Sequence, residues 1–121
     1  MKPVNINHKL DLINDHWNPR VVAEPNGQQI RLVKILGDFP FHIHEGEDET
    51  FFVVKGVLRL DFENHSEIVN ENEFLVVPGG VSHRPYAKEE VELMVFTTNK
   101  NVNTGQLDLD RTLDPDNLER I

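Results

Sequence analysis

Residues 42 to 49 read His-Ile-His-Glu-Gly-Glu-Asp-Glu, and a further histidine, His83, sits in Pro78-Gly79-Gly80-Val81-Ser82-His83. Imidazole nitrogens and carboxylate oxygens suit iron, manganese, nickel, cobalt or zinc; calcium and magnesium prefer oxygen alone. His42 and His44 are two residues apart, and alternate side chains of a strand leave from the same face. Gly46 and the acids around it turn the chain. Glu49 then opens the next apolar run, from which it can face back toward the histidines. His83 arrives from a distant strand. A lone His-x-His is weak evidence, because many such pairs are solvated or satisfied by core hydrogen bonds, and Glu45, Glu47, Asp48 and Glu49 alone describe a solvated turn. Here the pair comes with a carboxylate at fixed reach, an apolar run ending in a turn glycine, and a second histidine block with its own proline-glycine turn.

The elements that must position these side chains are short. Ile6, Leu10, Leu12 and Ile13 have partly helical spacing, so residues 6 to 16 hold a short helix or turn. Trp17, the only tryptophan, is expected to cap the barrel. Val21–Glu24 reads as a strand, and Pro25-Asn26-Gly27 as a turn. Residues 29 to 36 form the next strand, with Ile30, Leu32 and Leu36 on one face. Lys34 shares that parity; it either meets an anionic substrate or, the preferred reading, snorkels to water from near the strand end. Phe41–His44, Thr50–Lys55, Val57–Phe62, Glu67–Val69 and Phe74–Val77 follow, then His83–Ala87 and Val91–Thr98. His65 falls in the polar tip Glu63-Asn64-His65-Ser66 and is expected to be solvated. Tyr86 has the opposite strand parity to His83 and is expected to pack or face solvent. Many short strands with regular turn signals predict an all-β sandwich or barrel. Residues 114 to 120 form either a short helix, capped by Asp114 with Pro115 at its first position, or a disordered tail.

Composition narrows the function. At 121 residues the chain is long enough for one domain with a real core. We divide it into an N-terminal arm (1–20), a barrel (21–98) and a C-terminal tail (99–121). A net charge of −9 argues against non-specific nucleic-acid binding and against docking on anionic lipid. No apolar stretch is long enough to span a membrane, and the first residues lack the apolar run of a signal peptide. With no cysteine, disulfides and thiolate metal sites are excluded, and any transition-metal site must be built from histidine and carboxylate. A cytoplasmic location fits these features. The expected partners are a small molecule and another copy of the chain, because exposed sheet edges need cover.

The whole pattern resembles the cupin superfamily. That family's first motif is a glycine, a short spacer, His-x-His, three or four residues, Glu, six residues and Gly; Gly37, His42, His44, Glu49 and Gly56 carry it here. Its second motif is Gly, five residues, Pro-x-Gly, two residues, His, three residues and Asn; Pro78, Gly80 and His83 carry it. Gly37 precedes His42 by one residue fewer than usual, Asn72 stands where the first glycine of the second motif is expected, and Ala87 stands in place of asparagine. None of these is a ligand position. The motifs cover residues 37 to 87. A looser likeness to small single-domain cupins, often described as mannose-6-phosphate-isomerase-like, covers nearly the whole chain. The resemblance selects the cupin jelly roll, a double-stranded β-helix, from among the all-β barrels. It implies one divalent transition metal held by His42, His44, Glu49 and His83, and a homodimer.

Four protein ligands would leave up to two open positions on an octahedral metal for water, dioxygen or substrate. The first expectation is therefore a metal-dependent enzyme, an oxygenase or an isomerase, acting on a small oxygen-rich molecule. The alternative is a non-catalytic cupin that binds or senses a small molecule. A third reading is a stable barrel with a structural metal. Some cupin epimerases use histidine and tyrosine without metal, a part Tyr86 would take only if a bulge turned it inward.

Overall fold

The computed structural model describes residues 1–121. Helix α1 (Ile6–Asp11) opens the chain, with the Asn5 side chain accepting a hydrogen bond from the His8 amide at 3.0 Å. Seven strands follow: β1 (Arg20–Ala23), β2 (Gln28–Gly37), β3 (Glu49–Lys55), β4 (Leu58–Asp61), β5 (Ser66–Val69), β6 (Phe74–Val77) and β7 (Arg84–Thr98). Their paths run β1-β2-β7-β3-β6, with β4 pairing to both β5 and β7. Every pairing between these strands is antiparallel. No helix is long and apolar enough to cross a membrane.

Two separate strands, His83–Ala87 and Val91–Thr98, were expected; one continuous strand, Arg84–Thr98, replaces them with His83 just before it, and it organises the fold. Its first residues, Arg84 to Tyr86, pair with β4, while Ala87 and Val91 to Thr98 pair with β2 and Thr50 to Lys55 of β3 flank Glu92 to Phe96 on the other side. A single strand shared between two sheets folds them over one core, the all-β jelly roll expected from the sequence. That core contains Val33 and Ile35 from β2, Phe51 and Val53 from β3, Leu58 and Leu60 from β4, and Val91, Leu93 and Val95 from β7.

The facing of β2 differs from expectation. Gln29, Arg31, Val33 and Ile35 face the barrel interior, and Ile30, Leu32 and Lys34 the outside. Leu32 is buried nonetheless, because Leu10 and Ile13 of the N-terminal arm pack over it. Both faces of β2 are thus covered, which erased the polar alternation that marks a half-exposed strand. Lys34 lies outside the cavity, 3.7 Å from Glu92. After Thr98 the chain packs back on the barrel. Only Pro115–Asn117 is helical, a single 3-10 turn capped by the Asp114 side chain. Leu118 is buried, and Arg120 forms a parallel bridge with Val21, with hydrogen bonds from the Val21 amide to Glu119 O (2.9 Å) and from the Ile121 amide to Val21 O (3.1 Å). The end of the tail therefore covers the free edge of β1.

Candidate metal centre

The two histidine blocks meet through their backbones. The His42 amide donates to His83 O and the His83 amide to His42 O, both at 3.0 Å, an isolated antiparallel bridge between distant segments. This pairing puts the two rings 4.4 Å apart. His44 follows in a loop rather than a strand, held by the Gly80 amide on its carbonyl at 2.9 Å. Its ring lies 4.8 Å from that of His42 and 5.5 Å from that of His83. Glu49, the first residue of β3, closes the group from the third side.

Two close backbone approaches brace this loop. A Cβ on Gly79 would fall 2.8 Å from the Glu47 nitrogen, and one on Gly105 only 2.2 Å from Ile43 O. The tail thus presses on the peptide between the two histidines, and Gln106 adds its Oε1 as acceptor for the Ile43 amide at 2.7 Å. These tail residues were not anticipated from the sequence.

His42, His44, Glu49 and His83 are all buried, and one donor atom from each lies within 4.8 Å of the other three. The ring orientations are set from behind. His42 Nδ1 lies 2.9 Å from Pro40 O, and His83 Nδ1 lies 2.9 Å from Val81 O. A carbonyl only accepts, so each Nδ1 carries the proton and each Nε2 presents a lone pair when the ring is neutral. Backbone carbonyls placed this way commonly orient metal-ligating histidines. Phe39 and Phe51 pack edge-on against His42 and His83.

The electrostatics fit a cation at the centre. Burial holds the His42 pKa down at about 4, so its ring is neutral at ordinary pH. Burial alone would raise the Glu49 pKa, but His44 and His83 on its carboxylate outweigh that and hold it near 2. Glu49 Oε1 is 3.4 Å from both His44 Nε2 and His83 Nε2. Despite that proximity His44 Nε2 is buried without a hydrogen-bond partner. An orphaned buried ring nitrogen is rare, and an ion is one of its standard explanations. Opposed ligands at about 2.2 Å from a metal stand about 4.4 Å apart, close to the spread of these four atoms. The residues present therefore fit a divalent transition metal.

A cavity of about 60 Å³ adjoins the cluster. His42 and Glu49 form part of its wall, Val33, Ile35, Phe51 and Leu93 supply apolar surface, and Arg31 and Asn101 add polar groups. Trp17 does more than cap: it lines this cavity, stacked on Phe39 at 4.7 Å with its Nε1 donating to Leu36 O. Tyr86 lies outside, under the Arg59 guanidinium at 4.1 Å, and His65 is exposed beside Glu67. Arg31 was missed, although it shares strand parity with Val33 and Ile35; a cation within an apolar run was the available signal.

An antiparallel jelly roll with a buried three-histidine, one-glutamate cluster at one end of its core is a cupin arrangement. The cupin domain model matches residues 32–99, and the chain belongs to that family. The crystal structure of a cupin-2 domain containing protein from Shewanella frigidimarina NCIMB 400 is 42% identical, with a TM-score of 0.78 over 78% of this chain and 93% of that one. Protein NMB1881 from Neisseria meningitidis is 34% identical, with a TM-score of 0.74 over 80% of this chain and 99% of its own. The Bacillus subtilis (strain 168) protein YdbB is 33% identical over 64 residues, 52% of this chain and 57% of that protein, so the match spans little more than half of that relative.

Proposed function

We propose that this protein is a metal-dependent cupin enzyme acting on a small oxygen-rich molecule, with His42, His44, Glu49 and His83 as ligands to one divalent transition metal. The orphaned Nε2 of His44, buried among three other converging donors, carries the reading. When bound, such a metal supplies Lewis-acid polarisation or oxygen activation. The chain's own contribution is to hold neutral imidazoles by their Nδ1 protons, to supply one anionic oxygen, and to exclude bulk water with aromatic and aliphatic walls.

Of the two reaction types, the cavity favours oxygenation over isomerisation. Arg31, His42 and Glu49 are the only ionisable side chains on its wall, so no lysine, tyrosine or free carboxylate is placed to shuttle a proton. The same lack weighs against metal-free epimerase chemistry through Tyr86. Retention of an unchanged ligand without turnover would favour the binding or sensing alternative. A homodimer accompanies the proposal: Phe74 and Val76 are exposed on β6, which ends the sheet path. Light scattering on the purified chain tests this part.

Elemental analysis of untagged protein, purified without added metal, tests the centre. About one equivalent of iron, manganese, nickel, cobalt or zinc is expected. Iron would then direct oxygen-uptake assays, and zinc or manganese isomerase assays. No metal as purified, and none after reconstitution, would overturn the proposal.

A further inference from the structure

The unexplained charge in this molecule is Arg31. It is 2% exposed, inside a cavity with largely apolar walls, yet it takes part in no ion pair. Its Nε donates to Gln29 Oε1 at 2.9 Å, one terminal nitrogen donates to Asn101 O at 3.0 Å, and the other lies 3.5 Å from Asn101 Oδ1. All of these partners are neutral. A buried cation with only neutral partners is costly, and such charges are normally compensated. Beside it Asn101, 1% exposed, has a buried Nδ2 with no hydrogen-bond partner. A cation without an anionic partner and an amide nitrogen without any partner thus share one cavity.

We propose that this cavity takes a small organic carboxylate, its anionic end gripped by the Arg31 guanidinium and Asn101 Nδ2, its second oxygen directed toward the His42–Glu49 side. The second half of this statement rests on the metal reading above; the Arg31 half does not. Three of the five guanidinium N–H groups are engaged with Gln29 and Asn101, which leaves one on each terminal nitrogen to make charge-assisted hydrogen bonds to a carboxylate. The aliphatic and aromatic walls leave room for a carbon body of a few atoms. A monoanion balances Arg31. A phosphate group has more oxygens to satisfy, and beyond Arg31, Asn101 and Asn103 the cavity wall is largely apolar. The class indicated is therefore short 2-hydroxy or 2-oxo acids, with one carboxylate and one adjacent oxygen. Burial pushes the Arg31 pKa down and the nearby Glu49 and Glu47 draw it back up, so the cation persists but remains poorly compensated.

Trp17, the sole tryptophan, lines the same cavity, so its fluorescence reports occupancy. The experiment titrates the full chain, metal-loaded and chelator-treated, with lactate, pyruvate, lactamide and inorganic phosphate. Wild type is compared with Arg31→Lys, Arg31→Met and Asn101→Asp, each checked for metal content and melting temperature. Saturable binding of lactate or pyruvate is expected, with lactamide and phosphate at least about tenfold weaker. Arg31→Met should weaken carboxylate binding roughly 30-fold or more while retaining metal, and Arg31→Lys should restore part of it. Asn101→Asp places an internal counterion on Arg31, so it should melt higher and lose carboxylate binding to a similar degree. If Arg31→Met fails to fold, Asn101→Asp, with nearly unchanged shape, carries the test. Equal binding of lactate and lactamide, tighter binding of phosphate, or undiminished carboxylate binding by Asn101→Asp would each overturn the proposal. Arg31-dependent carboxylate binding by a protein that takes up no metal would support the Arg31 half and sink the metal reading alone.

Discussion

His44 offers the sharpest test among single residues. Its Nε2 makes no hydrogen bond within the protein and meets only the Glu49 carboxylate, at 3.4 Å. We expect His44→Ala and Glu49→Ala each to lose bound metal, from about one equivalent to near none by elemental analysis after dialysis, while retaining the strand signal in circular dichroism. His65→Ala, in an exposed hairpin tip, should change neither. The convergence of His42, His44, Glu49 and His83 was legible in the sequence because their motif spacing, matched to the cupin resemblance, singled out these four together. Arg31 and Asn101 were not legible. Arg31 sits on a strand whose outer face is hidden under α1, so inside and outside could not be told apart by polarity. Asn101 belongs to an aperiodic loop, and only the fold brings it to Arg31.

At the scale of elements, the tail matters more than its polar composition suggests. Gly105 sits at φ +60° with Ile43 O so close that no side chain fits. Gly105→Ala should therefore displace the peptide between His42 and His44. We expect metal affinity to fall by about tenfold or more, in the range found when outer support of a ligand is lost, and the melting temperature to drop with it. A competition titration with a chromophoric chelator reads the first effect, and calorimetry the second. Asn72, where the family motif expects glycine, adopts φ 64°; asparagine tolerates this left-handed conformation, so the departure leaves the turn before β6 intact. The strand order around the barrel was not legible in the sequence, since alternation tells which residues turn inward but not which strands become neighbours.

For the whole molecule, acid should act through the buried ligands. The His42 pKa is lowered from 6.5 to about 4, so between those values the unfolded chain binds a proton that the folded one refuses. Stability of the metal-free protein is therefore complete above pH 6.5 and lost as pH falls toward 4, by up to about 3 kcal/mol from this residue. Urea unfolding at pH 7.5 and pH 4.5 measures it. Glu49, lowered from 4.5 to about 2, extends the loss below pH 4.5 in the same direction. Bound metal, which requires the deprotonated ligands, should steepen the dependence. The reciprocal backbone bridge between His42 and His83 has a consequence for exchange kinetics. Their two amides open only when the segments that carry the ligands part, so their hydrogen–deuterium exchange times the separation of the two halves of the site. Anything that staples those halves together, ion or substrate, should slow exchange at these two amides more than at the exposed hairpin tip around His65. Two peptide protons would then record occupancy from within the backbone, with no need of a chromophore.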